Sequence, residues 1–372
     1  MDYIKPLVVF IGESASGKST LMKVIALMRY IFKMLNIRAY LKNANISKSP
    51  FRLRFDSLLQ DGLEKYFMAD TEISYSVETN GHTYKIEYKQ KKLNANINID
   101  KGDLMFFKES FISETRSAIP TWASKAASNK GAELGYYFHE TYSDFNDATD
   151  VVKNQSLDYL NLNMKIQKSG NKPKRFMIEP SGDDYQPVEL KYASSGIQTS
   201  VPLLTIVRYF SHEFSFKDAF QRSVLTYLYE QDRLSQFKPD IELGELDKYV
   251  HIHIEEPELS LYPSSQRLLM NEIVKEAFHT NEADRKLGVM IATHSPYIIN
   301  HLNILLRAGY YDNARKTYPY LKQDDMDAYK IEDGRLIPLM STDNESGQYV
   351  INTLDLSDSM EQIYNDYINI KD

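Results

Sequence analysis

Cysteine is absent from all 372 residues, which excludes disulfides and thiolate metal sites. No apolar stretch approaches the roughly 20 residues that a membrane helix needs. The opening residues, MDYIKPLVVFIG, lack the basic start, long apolar centre and small-residue cleavage site of a secretory signal. Net positive charge is missing too: the formal balance is −7, which argues against a uniformly basic nucleic-acid binder. Two lysine-rich stretches, KIEYKQKK (85–92) and KIQKSGNKPKR (165–175), are local exceptions that could touch phosphate, although solvated loops account for them more simply. Internal repeats, low-complexity tracts and sustained heptads are also lacking. These absences fit a cytoplasmic protein with no membrane contact.

What is present is an ordinary globular balance, 42% hydrophobic and 26% charged, in a chain long enough for one composite domain or two of usual size. The 27 tyrosines are many, and they suggest no function by themselves. LVVFI (7–11) reads as a buried strand, followed by a glycine-containing loop and a long run of helix formers. EISYSVETNGHTYKIEYKQ alternates around Asn80-Gly81, a strong hairpin signal. Helices are expected near 120–130 and 145–165 and over most of 200–236. A second hairpin is expected around Asp333-Gly334, and a terminal helix in SMEQIYNDYINI. Strands alternating with helices predict an α/β core with added β-hairpins and a helical insertion.

Four motifs carry chemistry. The first is GESASGKST, Gly12 to Thr20, which fits G-x-x-x-x-G-K-[ST] at every fixed position and lies between a strand and a helix. Backbone N–H groups from Gly12, Glu13, Ser14, Ala15, Ser16 and Gly17 would curl around phosphate oxygens, aided by the helix N-terminus. Lys18 would reach the β- and γ-phosphates and the Ser19 hydroxyl would ligate magnesium, with Thr20 completing the loop. The competing account is a glycine-serine turn that merely caps a helix.

The second is HIHIEEPELSLYP, from residue 251, where Glu255 and Glu256 stand side by side at the end of an apolar strand. Adjacent carboxylates repel unless a cation or a proton intervenes. A solvated acidic turn is one account. The other is the end of a nucleotide-hydrolysing strand lying beside the phosphate-loop strand, with Glu255 on magnesium and Glu256 as the base that polarises water. His251 and His253 share one face of that strand and are expected to pack or hydrogen-bond. The third is IATHSP, where His294 follows a buried strand and could bind the γ-phosphate. A lone histidine is more often structural; behind a phosphate loop the catalytic reading gains. The fourth is YASSGIQTSVPLL (192–204), in which Ser195, Gly196 and Gln198 offer a hydroxyl and free N–H groups to an anion, or simply an N-cap.

In their chain order these motifs resemble the ATPase head of the ABC superfamily, and most of all its soluble SMC-type and OLD-type branch. EEPELSLYP is similar to OLD-like ATPases of bacterial genome defence, as more distantly are FISETR (111–116) and AYKIEDGRL (328–336). The resemblance implies a P-loop NTPase fold with a nucleotide-binding core over 1–110 and 245–345. It also implies a mainly helical lobe over 111–244 carrying the signature loop, and the remaining residues, 346–372, are expected to form a helical tail. It further implies a homodimer closed around ATP and Mg2+, with Ser195, Gly196 and Gln198 acting in trans and residues 259–263 as the inter-subunit loop. Departures are visible: Ile197 replaces the signature's second glycine, and Pro202 should kink the signature helix or delay its start. The glutamine that usually links magnesium to the lobe has only Gln60 and Gln155 as candidates. Without heptads, long coiled-coil arms are not expected, and no acidic nuclease cluster follows residue 300. A nuclease partner would therefore be a separate chain.

The reading that follows is an ATPase, slow in isolation, whose ATP-dependent dimerisation gates a partner protein, with anti-phage defence as the role implied by resemblance. An ATP-sensing scaffold with incidental hydrolysis and a DNA-repair or DNA-tracking ATPase remain as alternatives. A small-molecule kinase would need neither the signature loop nor the histidine.

Overall fold

The computed structural model describes residues 1–46, 55–124, 134–168, 170, 173–180, 186–239, 241–353, 365 and 369. β1 (Leu7–Ile11) is buried along its whole length, as a continuous β-branched and aromatic run requires. It passes through the phosphate loop into α1 (Lys18–Asn43), 26 residues without glycine or proline. β2 (Ile73–Thr79) and β3 (His82–Lys89) form the hairpin expected at Asn80-Gly81, extended by β4 (Lys92–Asn94). Asn80 at φ 47° and Gly81 at φ 83° supply the left-handed pair that such a two-residue turn demands. β5 (Met105–Ile112) follows and leads into the insertion.

The insertion holds α2 (Ile119–Ser124) and α3 (Tyr136–Val151), then strands β6 (Asn154–Leu157), β7 (Leu162–Gln167), β8 (Arg175–Pro180) and β9 (Val188–Glu189) in one antiparallel sheet. α4 (Ser195–Arg208), α5 (Phe216–Phe220) and α6 (Thr226–Glu230) complete it. β10 (Asp247–Glu255), α7 (Pro263–Phe278), β11 (Lys286–Thr293) and α8 (Pro296–Ala308) return the chain to the core. β12 (Met326–Glu332) and β13 (Arg335–Pro338) form the second expected hairpin, and β14 (Met340–Thr342) pairs with β15 (Tyr349–Ile351).

The central sheet runs β13-β12-β1-β11-β10-β5. Every pairing is parallel except the β12–β13 hairpin. This is the mixed, mainly parallel sheet of a P-loop NTPase. The phosphate loop leaves the C-terminal end of β1, and the motifs at the ends of β10 and β11 emerge on the same side. Among the described residues no helix is long and apolar enough to cross a membrane.

Four expectations change. The acidic strand β10 is not the neighbour of β1; β11 lies between them, so His294 stands nearer the loop strand than the glutamates do. The helix expected near 145–165 ends at Val151, and two strands follow. β6 (NQSL) hides its alternation because one of its two inward residues is Gln155, whereas β7 (LNMKIQ) alternates apolar with polar throughout. The lobe thus carries a four-stranded antiparallel sheet beside its helices, and residues 349–351 of the expected helical tail are a strand. Pro202 lies inside α4 without delaying its start: the helix begins at Ser195 and only the hydrogen bond to the Gln198 carbonyl is forfeited. The expected terminal helix lies almost wholly outside the described residues, although Asn365 and Asn369 are helical.

Candidate active site

The phosphate loop turns on positive-φ residues. Ala15 has φ 64° and Gly17 φ 100°, the latter as the N-cap of α1, where no side chain caps the first helical N–H groups. Gly12 is needed for a different reason: a Cβ there would lie 2.5 Å from the Ile331 carbonyl oxygen of β12. Lys18 is buried and its Nζ donates to the carbonyls of Gly12 (2.9 Å) and Glu13 (2.7 Å) and to Ser16 Oγ (3.3 Å). Burial lowers its pKa, against which Glu256 and Glu258 pull upward.

His294 joins this lysine to the acids. Its Nδ1 lies 3.4 Å from Lys18 Nζ and its Nε2 lies 3.5 Å from Glu256 Oε1. Its backbone N–H donates to Glu258 Oε1 at 2.6 Å, so the third glutamate of EEPE holds the histidine loop in place. Glu256 sits at φ 43°, a left-handed conformation that a glutamate adopts only when its surroundings enforce it. Its N–H continues the ladder to the Ala292 carbonyl at 2.8 Å, and the chain then turns so that the carboxylate faces His294.

Glu255 points elsewhere. It is 1% exposed, Oε1 has no hydrogen-bond donor, and the nearest cation, Lys23 Nζ, is 3.8 Å away. Oε2 accepts the Glu114 N–H at 3.4 Å, the Glu114 carboxyl shares a hydrogen bond with it, and the Ser19 hydroxyl lies against it. Burial, and then Glu114, push its pKa up to about 8, while the Glu114 carboxyl is held low. The two carboxyl groups that face each other are thus Glu255 and Glu114, not the sequence neighbours Glu255 and Glu256. An orphaned buried carboxylate oxygen beside a serine hydroxyl is an oxygen-only donor set that fits magnesium. Ser19 and Glu255 would hold the ion, which when bound offsets charge on the phosphate oxygens.

Arg116 ends FISETR, just beyond β5. It is fully buried, and its guanidinium donates to four carbonyls: Thr199 (3.1 Å), Ser113 (3.1 Å), Glu255 (2.6 Å) and Glu256. Burial lowers its pKa to about 10 against four surrounding glutamates, so it remains a cation. One side chain therefore fixes the end of β5, the end of β10 and the first turns of α4.

The signature residues stand apart. Ser195 is exposed at the start of α4, and none of the Lys18, Glu255, Glu256 or His294 side chains hydrogen-bonds it among the described residues. Gly196 is required because a Cβ there would meet the Ser260 carbonyl oxygen at 2.8 Å; Thr199 Oγ1 also donates to the Leu259 carbonyl at 2.8 Å. Gln198 turns inward, its amide donating to the carbonyls of Lys191 and Ala193, and Ile197 packs on the core. Of the two glutamine candidates, Gln60 bonds the Ser57 carbonyl in its own turn and Gln155 accepts from Thr205 Oγ1 at 2.7 Å. His251 bonds Glu109 (2.7 Å), and His253 lies between the Ser110 carbonyl and Arg29, so both are structural as expected.

A parallel sheet with a phosphate loop at the end of β1, and acid and histidine at the ends of the next two strands, defines a P-loop ATPase head. The chain belongs to the AAA ATPase domain family, which matches residues 36–299 and thus includes Glu114, Ser195, Glu255 and His294. No curated protein matches the chain.

Proposed function

We propose that this chain is an ATPase head that dimerises around ATP and thereby gates a partner protein. Lys18 binds the β- and γ-phosphates, exchanging its loop carbonyls for phosphate oxygens. Glu256 takes a proton from water as its oxygen bonds to the γ-phosphorus and the bond to the β–γ bridging oxygen breaks. His294, between Lys18 and Glu256, positions that water and steadies the γ-phosphate. Most of the catalysis is positioning and charge stabilisation.

The observation that carries the dimer reading is the separation of Ser195 from an otherwise contiguous site: Lys18 and Glu256 each meet His294, while Ser195 is exposed. A second head is the natural source of an anion for it. The resemblance of EEPELSLYP and FISETR to OLD-like ATPases extends the proposal to anti-phage defence with a separate effector, a nuclease among the candidates.

The test is the mass in solution of wild type and Glu256→Gln, with and without ATP and Mg2+. Glu256→Gln should form a stable ATP-dependent dimer and lose hydrolysis. A mass that ignores nucleotide while hydrolysis persists would remove the signature reading. A Glu256→Gln variant that keeps all biological activity would establish the ATP-sensing scaffold instead.

A further inference from the structure

We propose that Glu114 is a second carboxylate ligand of the divalent ion carried by the nucleotide, reaching it from the lobe side of the site. The placement follows from sheet register. β5 pairs with β10 in parallel up to Ile112 opposite Ile254, so Ser113-Glu114 and Glu255-Glu256 leave the sheet side by side. Glu114 then directs both its N–H and its carboxyl at Glu255. The Glu114 carboxylate is solvent-accessible and receives Ser113 Oγ at 3.1 Å, while Glu255 behind it is buried with Oε1 unpartnered.

Two carboxyl groups in contact, with one ammonium at 3.8 Å, need something more between them. A hard divalent cation would supply it, since it takes oxygen ligands from both acids and from Ser19 at once. The two glutamine candidates lie away from this position: Gln60 bonds the Ser57 carbonyl and Gln155 accepts from Thr205. Glu114 also begins the segment that runs through Arg116 to the signature helix, so an ion held here touches the core through Glu255 and the lobe through Glu114.

This inference rests on Glu255 as the metal carboxylate, and the experiment separates the two. Mn2+ affinity of the complex with a non-hydrolysable ATP analogue is measured by electron paramagnetic resonance for wild type, Glu114→Gln and Glu255→Gln. Affinity for the analogue in EDTA is measured alongside. Glu114→Gln should weaken Mn2+ by about tenfold or more, with analogue binding in EDTA unchanged within about twofold. Glu114→Asp should fall between. If Glu255→Gln loses Mn2+ while Glu114→Gln keeps it, Glu114 is no ligand and the inference is overturned with the site intact. If Glu255→Gln keeps Mn2+, the assignment of Glu255 itself fails. Equal losses with and without metal would place Glu114 on the nucleotide, which also overturns the inference. Because Glu114 is exposed, its variants are expected to fold, and a melting curve for each checks this.

Discussion

Arg116→Met removes the guanidinium that ties three segments together, and its consequence can be worked from the contacts. Methionine fills a similar apolar volume, so little cavity results. What remains is four carbonyls deprived of a donor, at Ser113, Thr199, Glu255 and Glu256, together with glutamates that lose their buried counter-charge. An unsatisfied buried polar group costs about 1–3 kcal/mol. Each carbonyl belongs to a strand end or helix that can offer it another donor, so about 1 kcal/mol apiece, about 4 in all, is the expected loss. For a chain of this size that corresponds to a melting temperature lower by about 5 °C. Trp122 reports it: the protein's single tryptophan lies on α2, six residues after Arg116, with its ring 5.4 Å from that of Phe138. Urea unfolding followed by its fluorescence gives the free energy directly. Arg116→Lys keeps the charge but not the planar fork, and should lose about half as much. A loss below about 1 kcal/mol for the methionine variant would mean that the four bonds do not hold the site. Full stability in the lysine variant would show that charge alone suffices.

Two further outcomes are expected. His253 is held down to about 3 by burial and the nearby Arg29, and His301 to about 4 by burial and Arg267. The unfolded chain binds protons near pH 6.5 that these folded histidines refuse, so their stabilisation is complete above that pH and is lost as pH falls. Each contributes about 1.4 kcal/mol between pH 7.5 and 5.5. Glu255 works in the opposite direction, because its raised pKa makes the folded state bind a proton as pH drops below about 8. Urea unfolding of Glu255→Gln should therefore weaken by about 3 kcal/mol over that interval, and wild type by visibly less; equal slopes would contradict the assignment. Glu258→Ala frees the His294 N–H, so steady-state turnover should fall by about tenfold or more while nucleotide affinity, read by calorimetry, stays near wild type. Unchanged turnover would show that the histidine loop is held without Glu258.

The parts of the site that could be read from sequence were those whose partners are close in the chain. Gly12 to Thr20 form one loop and the first residues of α1, Glu255 ends a buried strand and His294 follows another, so residue type and local order were enough. Glu114 and Arg116 were visible as letters in FISETR, but their partners lie 141 and 139 residues away at Glu255. Only the β5–β10 register brings them together, and no local pattern encodes that pairing. Glu258 was in plain view within EEPE, yet its role depends on where the β11 loop returns. The same limitation hid β11 between β1 and β10, because strand order is a tertiary fact. In the lobe, β6 (NQSL) carries no readable alternation because glutamine fills an inward position, while β7 (LNMKIQ) alternates apolar with polar and is a strand signal that a helical reading of 145–165 overrides.

The contact between Gly196 and the Ser260 carbonyl has a mechanical consequence. With no side chain at 196, the first turn of α4 seats directly on the backbone of the loop beyond the acids, and Thr199 pins the two through Leu259. Such a seam has no play. A push on Ser195 has little room to be absorbed, since the glycine meets the Ser260 carbonyl directly and only the Leu261 side chain beside it could shift. Whatever displaces the start of α4 displaces residues 259–260 by nearly the same amount and in the same instant, so the joint behaves as a rigid linkage rather than a spring.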